Sequence, residues 1–130
     1  MVKQKFDIDG YWEVIVYYDV DFNLFDDVVF ELRLMGFPEA AIEEAREELM
    51  SGRAKAVTCS STEEHESIVI FNTHTSKVDY VSSIVHEAEH IKQAILKAYQ
   101  IEDRGEAPAY TVGYIVSKMY EVFSRILSSV

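Results

Sequence analysis

The C-terminal half of the chain contains two long helix-forming segments joined by a short polar stretch, and this arrangement constrains the fold most. The first segment begins at Ser76, where a hydroxyl precedes a carboxylate by three residues in the pattern of a capping box, and it continues to about Tyr99. The second runs from about Glu106 to Leu127, and Pro108 falls in its first turn, where a missing N–H costs little. We expect the two helices to pack as an antiparallel pair.

The N-terminal half contains segments with strand and helix character. Aromatic and β-branched residues predict a strand at Tyr11–Val20. Apolar spacing predicts a helix at Asn23–Met35, and a second helix follows from Pro38 to about Ser51. Two further strands, Ala54–Ser60 and Ser67–Asn72, flank a polar stretch and predict a hairpin. The order predicts an α+β fold, in which a small antiparallel sheet carries its helices on one face.

Length and charge restrict the classes of protein to which the chain can belong. Its 130 residues predict a single domain, 1–130. The formal net charge of -11 gives a surface that repels phosphate groups, so tight binding to nucleic acids or anionic membranes is disfavoured. Cys59 is the only cysteine, which precludes an intramolecular disulfide. No segment approaches the apolar length of a membrane span, and we therefore expect a cytoplasmic protein.

The first long helix contains the sequence HEAEH, an HExxH pattern. His86 and His90 are four residues apart and therefore lie one turn apart on the same helical face, from which two imidazoles can bind one Zn²⁺. Glu87 lies beside that face and can reach a metal-bound water as a general base. Chance would place the pattern in a chain of this composition on the order of one time in a hundred. The alternative is a pair of ordinary surface histidines.

A catalytic zinc needs a third protein ligand and one open position for water, and Glu106 is the best candidate for that ligand. It follows His90 by 16 residues, after a stretch that can reverse the chain. The helix dipole favours its anionic form, and Ala109 and Gly113 would let its helix approach the first one closely. The alternative is an acid that only stabilises the start of its helix.

The pair of motifs HEAEH and EAPAY resembles the small zincin-like proteins of phages and bacterial mobile elements, and it is similar to the prophage ImmA/IrrE-type metallopeptidases. The resemblance extends from Ala54 to about Val116. It implies that His86, His90 and Glu106 are the Zn²⁺ ligands and that Glu87 is the base. It also implies a zincin-like domain that hydrolyses peptide or amide bonds, with a peptide or protein as substrate and a regulatory protein as a possible partner.

The chemistry that these residues predict is hydrolysis by a metal-activated water. Glu87 would accept a proton from the water and pass it to the leaving amine. Tyr110 is a candidate donor to the developing oxyanion, and the alternative is an aromatic side chain that only packs. A peptide could add to the exposed edge of the predicted hairpin by main-chain hydrogen bonds. Two rival interpretations remain: a zincin-like protein that binds metal or another protein without cleaving anything, and a metal-free protein in which the motif is accidental.

Overall fold

The computed structural model describes residues 1–21, 23–74 and 76–128, and in this part of the chain it contains four strands and four helices. In chain order the elements are β1 (Val2–Ile8), β2 (Trp12–Tyr18), α1 (Phe25–Leu34), α2 (Glu39–Met50), β3 (Ala56–Ser61), β4 (Glu66–Phe71), α3 (Lys77–Tyr99) and α4 (Glu106–Ser128). The α+β class is confirmed. Among the described residues, none of the helices combines the length and the apolar character needed to cross a lipid bilayer.

The sheet is mixed, and the prediction of an antiparallel sheet is therefore wrong. Its strand order is β1-β2-β4-β3, in which β2 and β4 run parallel while the two outer pairs are antiparallel. The reason is topological. The chain leaves β2, crosses through α1 and α2 to the far edge, and only then turns back from β3 into β4. That return places β4 next to β2 and gives both strands the same direction.

The first strand, β1, was not predicted. Its outward residues Lys3 and Lys5 are typical of an edge strand, and its inward side contributes Phe6 and Ile8. A tight turn at Asp9 and Gly10, both with positive φ, joins it to β2. Asp-Gly between two alternating segments is a strong sequence signal for such a hairpin.

The sheet is covered by helices on both faces, so the prediction that they lie on one face is wrong. Val16 and Val69 belong to a core cluster with α3 and α4, whereas Ile68 and Ile70 belong to a second cluster with α1 and α2. The physical reason is that β2 and β4 are apolar at successive positions instead of alternating with polar residues. A strand of this kind has two faces to bury and needs a helical layer on each.

The two long C-terminal helices pack against each other, as predicted. The Ser76 hydroxyl accepts a hydrogen bond from the Asp79 backbone N–H at 3.1 Å, which forms the predicted N-cap of α3. At the other end Gln100 adopts a left-handed conformation and stops the helix. The short connection that follows is held to α3 by Asp103, which accepts a hydrogen bond from the buried Lys92 at 2.8 Å.

A chain of polar groups, buried at Trp12 and Ser67 and half-buried at Ser60, crosses the sheet beneath α3. The indole N–H of Trp12 on β2 donates to the Ser67 hydroxyl on β4 at 2.9 Å. The Ser67 hydroxyl lies 2.6 Å from the hydroxyl of Ser60 on β3, its cross-strand partner. Three neighbouring strands are thus joined by side chains as well as by backbone hydrogen bonds.

Candidate functional site

A cleft of about 660 Å³ lies along the edge strand β3, between α2 and α3. Strand residues 56–60 line it, and both helices contribute polar side chains. From α3 these are His86, Glu87 and His90, and from α2 they are Glu44 and Glu48.

The two histidines of the predicted metal site converge. The Nε2 atoms of His86 and His90 are 3.1 Å apart, and their ring centroids are 4.7 Å apart. Both side chains lie on the exposed side of α3 at the mouth of the cleft. Two nitrogens that each lie 2.0–2.1 Å from one tetrahedral Zn²⁺ would be roughly 3.3 Å apart. The observed separation fits two ligands of one ion, and it also fits a hydrogen bond between two neutral imidazoles.

Glu87 is a buried carboxylate inside the same cleft, with only 3% of the residue exposed. The Thr58 hydroxyl on β3 donates a hydrogen bond to Glu87 Oε1 at 2.9 Å. Burial raises the pKa of Glu87, and the hydrogen bond from Thr58 opposes that rise. Oε2 has no hydrogen-bond partner among the described residues. The arrangement therefore holds one oxygen fixed and leaves the other free to exchange a proton.

The wall formed by α2 contributes two acids that the sequence analysis did not assign to a site. Glu44 is exposed and Glu48 is half-buried, and neither carboxylate has a hydrogen bond or an ion pair within the described part of the chain. Burial, followed by the charges of Glu48 and Glu44, raises the pKa of the Cys59 thiol to about 11. Cys59 is therefore a neutral thiol near pH 7, and its side chain packs against the α1–α2 cluster. In the sequence, the signal for these two acids was their separation of four residues, about one helical turn, but this spacing is equally typical of a solvated helix face.

Two opposite sides of α3 make different contacts, and we name them the cleft flank (His86, Glu87, His90) and the α4 flank (Lys92, Leu96). Glu87 and Leu96 are nine residues apart, which places them about 180° apart around a helix. The cleft flank meets β3 through Thr58, whereas the α4 flank meets the connection to α4 and the first turn of that helix.

Glu106 lies outside the cleft. It is exposed at the first position of α4, and the residues that follow it, Ala107 and Pro108, line an apolar pocket with Leu96 and Tyr99. Because α4 packs on the α4 flank, its first turn lies beside that flank, and Glu106 is not among the residues that line the cleft. Across residues 1–21, 23–74 and 76–128 there is no group of three His, Cys, Asp or Glu side chains arranged to hold a metal ion. The structure thus brings His86 and His90 together without Glu106.

Tyr110, the predicted oxyanion donor, is also outside the cleft. It is 71% exposed and lines a different pocket, together with Asp9 and Tyr114, at the β1–β2 turn. It lies one turn after Glu106 on α4, and the position of that helix separates it from the cleft flank for the same reason.

The other two histidines contribute to the fold. His65 stacks on Trp12, with ring centroids 5.4 Å apart. His74 Nδ1 lies 2.6 Å from the backbone oxygen of Asn72, and its Nε2 lies 2.9 Å from the Ser83 hydroxyl. Both contacts are satisfied by a neutral imidazole protonated at Nδ1. Burial lowers the pKa of His74, which favours that neutral form.

In comparisons with known proteins, no protein-family model, no curated protein and no solved structure matches this chain.

Proposed function

We propose that this chain is a zincin-like, divalent-metal-dependent hydrolase of peptide or amide bonds, in which His86 and His90 bind the metal and Glu87 is the general base. The observation that carries the proposal is the 3.1 Å separation of two imidazole Nε2 atoms beside a buried carboxylate, in a cleft along a sheet edge. The sequence resemblance to phage and mobile-element zincins supports the same chemistry.

The donor set suits Zn²⁺ in part. Imidazole nitrogen is a common zinc ligand, and the separation of the two Nε2 atoms agrees with binding to one ion. Glu106 does not join them in this arrangement, so the proposal rests on two protein ligands. When bound, such a metal makes its water more acidic and polarises the carbonyl group of the substrate.

Glu87 supplies the proton transfers. Its raised pKa brings the carboxylate closer to the pH range in which a group can both accept and return a proton. Thr58 fixes Oε1, and Oε2 is left to take a proton from the attacking water and to pass it to the leaving amine. Thr58 acts as a positioning residue, since its hydroxyl donates to Oε1 and so orients the base.

Zinc affinity and turnover test the two halves of this proposal separately. We expect His86→Ala and His90→Ala each to weaken Zn²⁺ binding at least tenfold in a competition titration against a chromogenic chelator. Glu87→Gln should retain Zn²⁺ affinity and lose cleavage of fluorescein-labelled casein. The matched control is Glu89→Gln, which changes the exposed acid of the same motif and should retain both. Equal Zn²⁺ affinity in the wild type and in both histidine variants would exclude this metal site.

A second candidate function is a zincin-like domain that binds metal or a partner protein without turnover. It is favoured by the lack, in the described residues, of a three-ligand metal group. The same experiment separates the two. If the wild type binds Zn²⁺ through His86 and His90 but never differs from Glu87→Gln on any substrate, the chain is a binding module.

A further inference from the structure

The cleft is bordered by a sheet edge that carries no further strand. In the described sheet, β3 pairs only with β4, and its other edge is at the cleft. Residues 56–60 line the cleft, a span of about 16 Å at roughly 3.3 Å per residue. An extended peptide of about five residues fits this length, and the free main-chain groups of an edge strand can bind it.

Side chains of β3 alternate between the two walls of the cleft. Val57 and Cys59 pack with the α1–α2 cluster, whereas Thr58 points to Glu87 and Ser60 to the polar chain beneath α3. A peptide that pairs with β3 continues this alternation. Every second side chain of the peptide would then face α2, and the side chains between them would face the cleft flank of α3.

The wall formed by α2 is negatively charged, and its acids have no Lys or Arg partner among the described residues. In the described part of the chain, Glu44 and Glu48 carry no ion pair, and no Lys or Arg is among the residues that line the cleft. A third acid of the cleft, Glu87, comes from α3 on the opposite wall. It is 3% exposed, and its Oε2 lacks a hydrogen-bond donor among the described residues. Residues four apart on a helix are about 6 Å apart along its axis, and alternate residues of a strand are about 6.6 Å apart. Two turns of α2, 41–48, line the cleft opposite 56–60 of β3, so the two acids have a spacing similar to that of alternate peptide side chains.

We propose that the cleft binds an extended peptide with Lys or Arg at two alternate positions, and that Glu44 and Glu48 are the residues that select it. This inference rests on the proposed function for its claim that the bound peptide is the substrate. An anionic ligand such as a nucleic acid is disfavoured because three carboxylates line the cleft, whereas none of the described Lys or Arg residues does.

Binding of four matched synthetic peptides tests the proposal. All share blocked ends, a fluorescein label and a Ser/Thr background, and they differ only in a central pair of residues: two lysines separated by one residue, two adjacent lysines, two separated norleucines, or two separated glutamates. Fluorescence anisotropy with the purified protein reports the dissociation constant, and mass spectrometry of the same samples reports cleavage. We expect the peptide with separated lysines to bind about tenfold more tightly than the norleucine peptide and about threefold more tightly than the peptide with adjacent lysines.

The double variant Glu44→Gln/Glu48→Gln should remove the preference for lysine and leave the affinity for the norleucine peptide unchanged. The control is Glu43→Gln/Glu47→Gln, which removes the same charge from exposed positions of α2 outside the cleft lining and should keep the preference. Equal affinities for the separated-lysine and norleucine peptides, or a preference that survives the cleft variant, would overturn the inference.

Zinc binding by the cleft variant distinguishes selection of a peptide from coordination of a metal. Glu44→Gln/Glu48→Gln should bind Zn²⁺ as the wild type does. Loss of Zn²⁺ would make these acids metal ligands and would overturn their role as selectors. If instead lysine selection is present while cleavage and zinc binding are both absent from the wild type, the proposed hydrolase fails and peptide docking stands.

Discussion

The two flanks of α3 differ in almost every physical property. On the α4 flank and the core side next to it, apolar side chains are sealed between α3, α4 and the sheet, and Lys92 ties down the connection. On the cleft flank, two imidazoles are exposed, one carboxylate is buried, and the nearby acids of α2 form no ion pair with any residue that the structure describes. Burial of the apolar side chains stabilises the fold, whereas burial of the Glu87 carboxylate on the cleft flank destabilises it. One helix thus separates an apolar side, which maintains the fold, from a polar side, which borders the cleft.

The largest effect should follow from damage to the core beside the α4 flank. Phe123 on α4 is fully buried and packs on Tyr80 of α3, with ring centroids 4.4 Å apart. We expect Phe123→Ala to lower the free energy of unfolding by about 3–5 kcal/mol, measured by urea denaturation. Tyr110→Ala on the exposed side of the same helix is the control and should change it by less than about 0.5 kcal/mol. Similar losses in both variants would mean that α4 is not packed as described.

A smaller loss of stability is expected on the cleft flank, where one hydrogen bond supports a buried acid. Thr58→Val leaves Glu87 without its donor and should lower the free energy of unfolding of the metal-free protein by about 1–2 kcal/mol. Thr58→Ser keeps the hydroxyl and should recover most of the loss. If Thr58→Val unfolds at the same urea concentration as the wild type, the hydrogen bond contributes nothing to the fold.

The start of α3 should respond to pH through His74. Burial lowers the pKa of this imidazole from its ordinary value of 6.5, so the unfolded chain binds more protons than the folded one as the pH falls below that value. The stability due to His74 is complete above pH 6.5 and decreases on acidification. We expect the urea midpoint to decrease less between about pH 7.5 and 5.5 in His74→Gln than in the wild type. Equal decreases would show that His74 is not held in its neutral form.

The smallest effects should come from the residues that the sequence assigned to the site and the structure places across α3. Glu106→Gln is expected to change the Zn²⁺ dissociation constant by less than twofold, since Glu106 lies outside the cleft. Tyr110→Phe is expected to change casein cleavage by less than twofold for the same reason. A tenfold loss of Zn²⁺ affinity in Glu106→Gln would show that α4 reaches the cleft flank and would remove the distinction between the two flanks.

Elements whose signals are local were predictable from the sequence. The N-cap at Ser76 and the pair of long helices come from capping and apolar spacing, and both are present. The convergence of His86 and His90 follows from helical periodicity alone. β1 was missed because its outward lysines obscure a strand that has only one buried side. The parallel pairing of β2 with β4 depends on the route of the chain between them, which no local pattern records.

The position of Glu106 was not predictable for a similar reason. Its distance from His90 along the chain allows a carboxylate to return to the histidines, but α3 continues beyond His90 to Tyr99 before the chain turns. Which side of α3 the returning helix then covers is decided by the apolar residues of α4 and the ion pair at Lys92. Conversely, Glu44 and Glu48 lie far from the motif in sequence, and only the strand order places α2 beside it.

The polar chain through Trp12, Ser67 and Ser60 has a consequence for the outer strand. A slip of β3 by one residue against β4 would move Ser60 away from Ser67 and turn its hydroxyl to the opposite face, leaving a polar group of the interior without its neighbour. The hydrogen bond from the Trp12 indole to Ser67 therefore helps to fix the register of β3 against β4. A peptide that pairs with the outer edge of β3 therefore meets a strand whose alternating side chains are fixed by contacts reaching β2, two strands away in the hydrophobic interior.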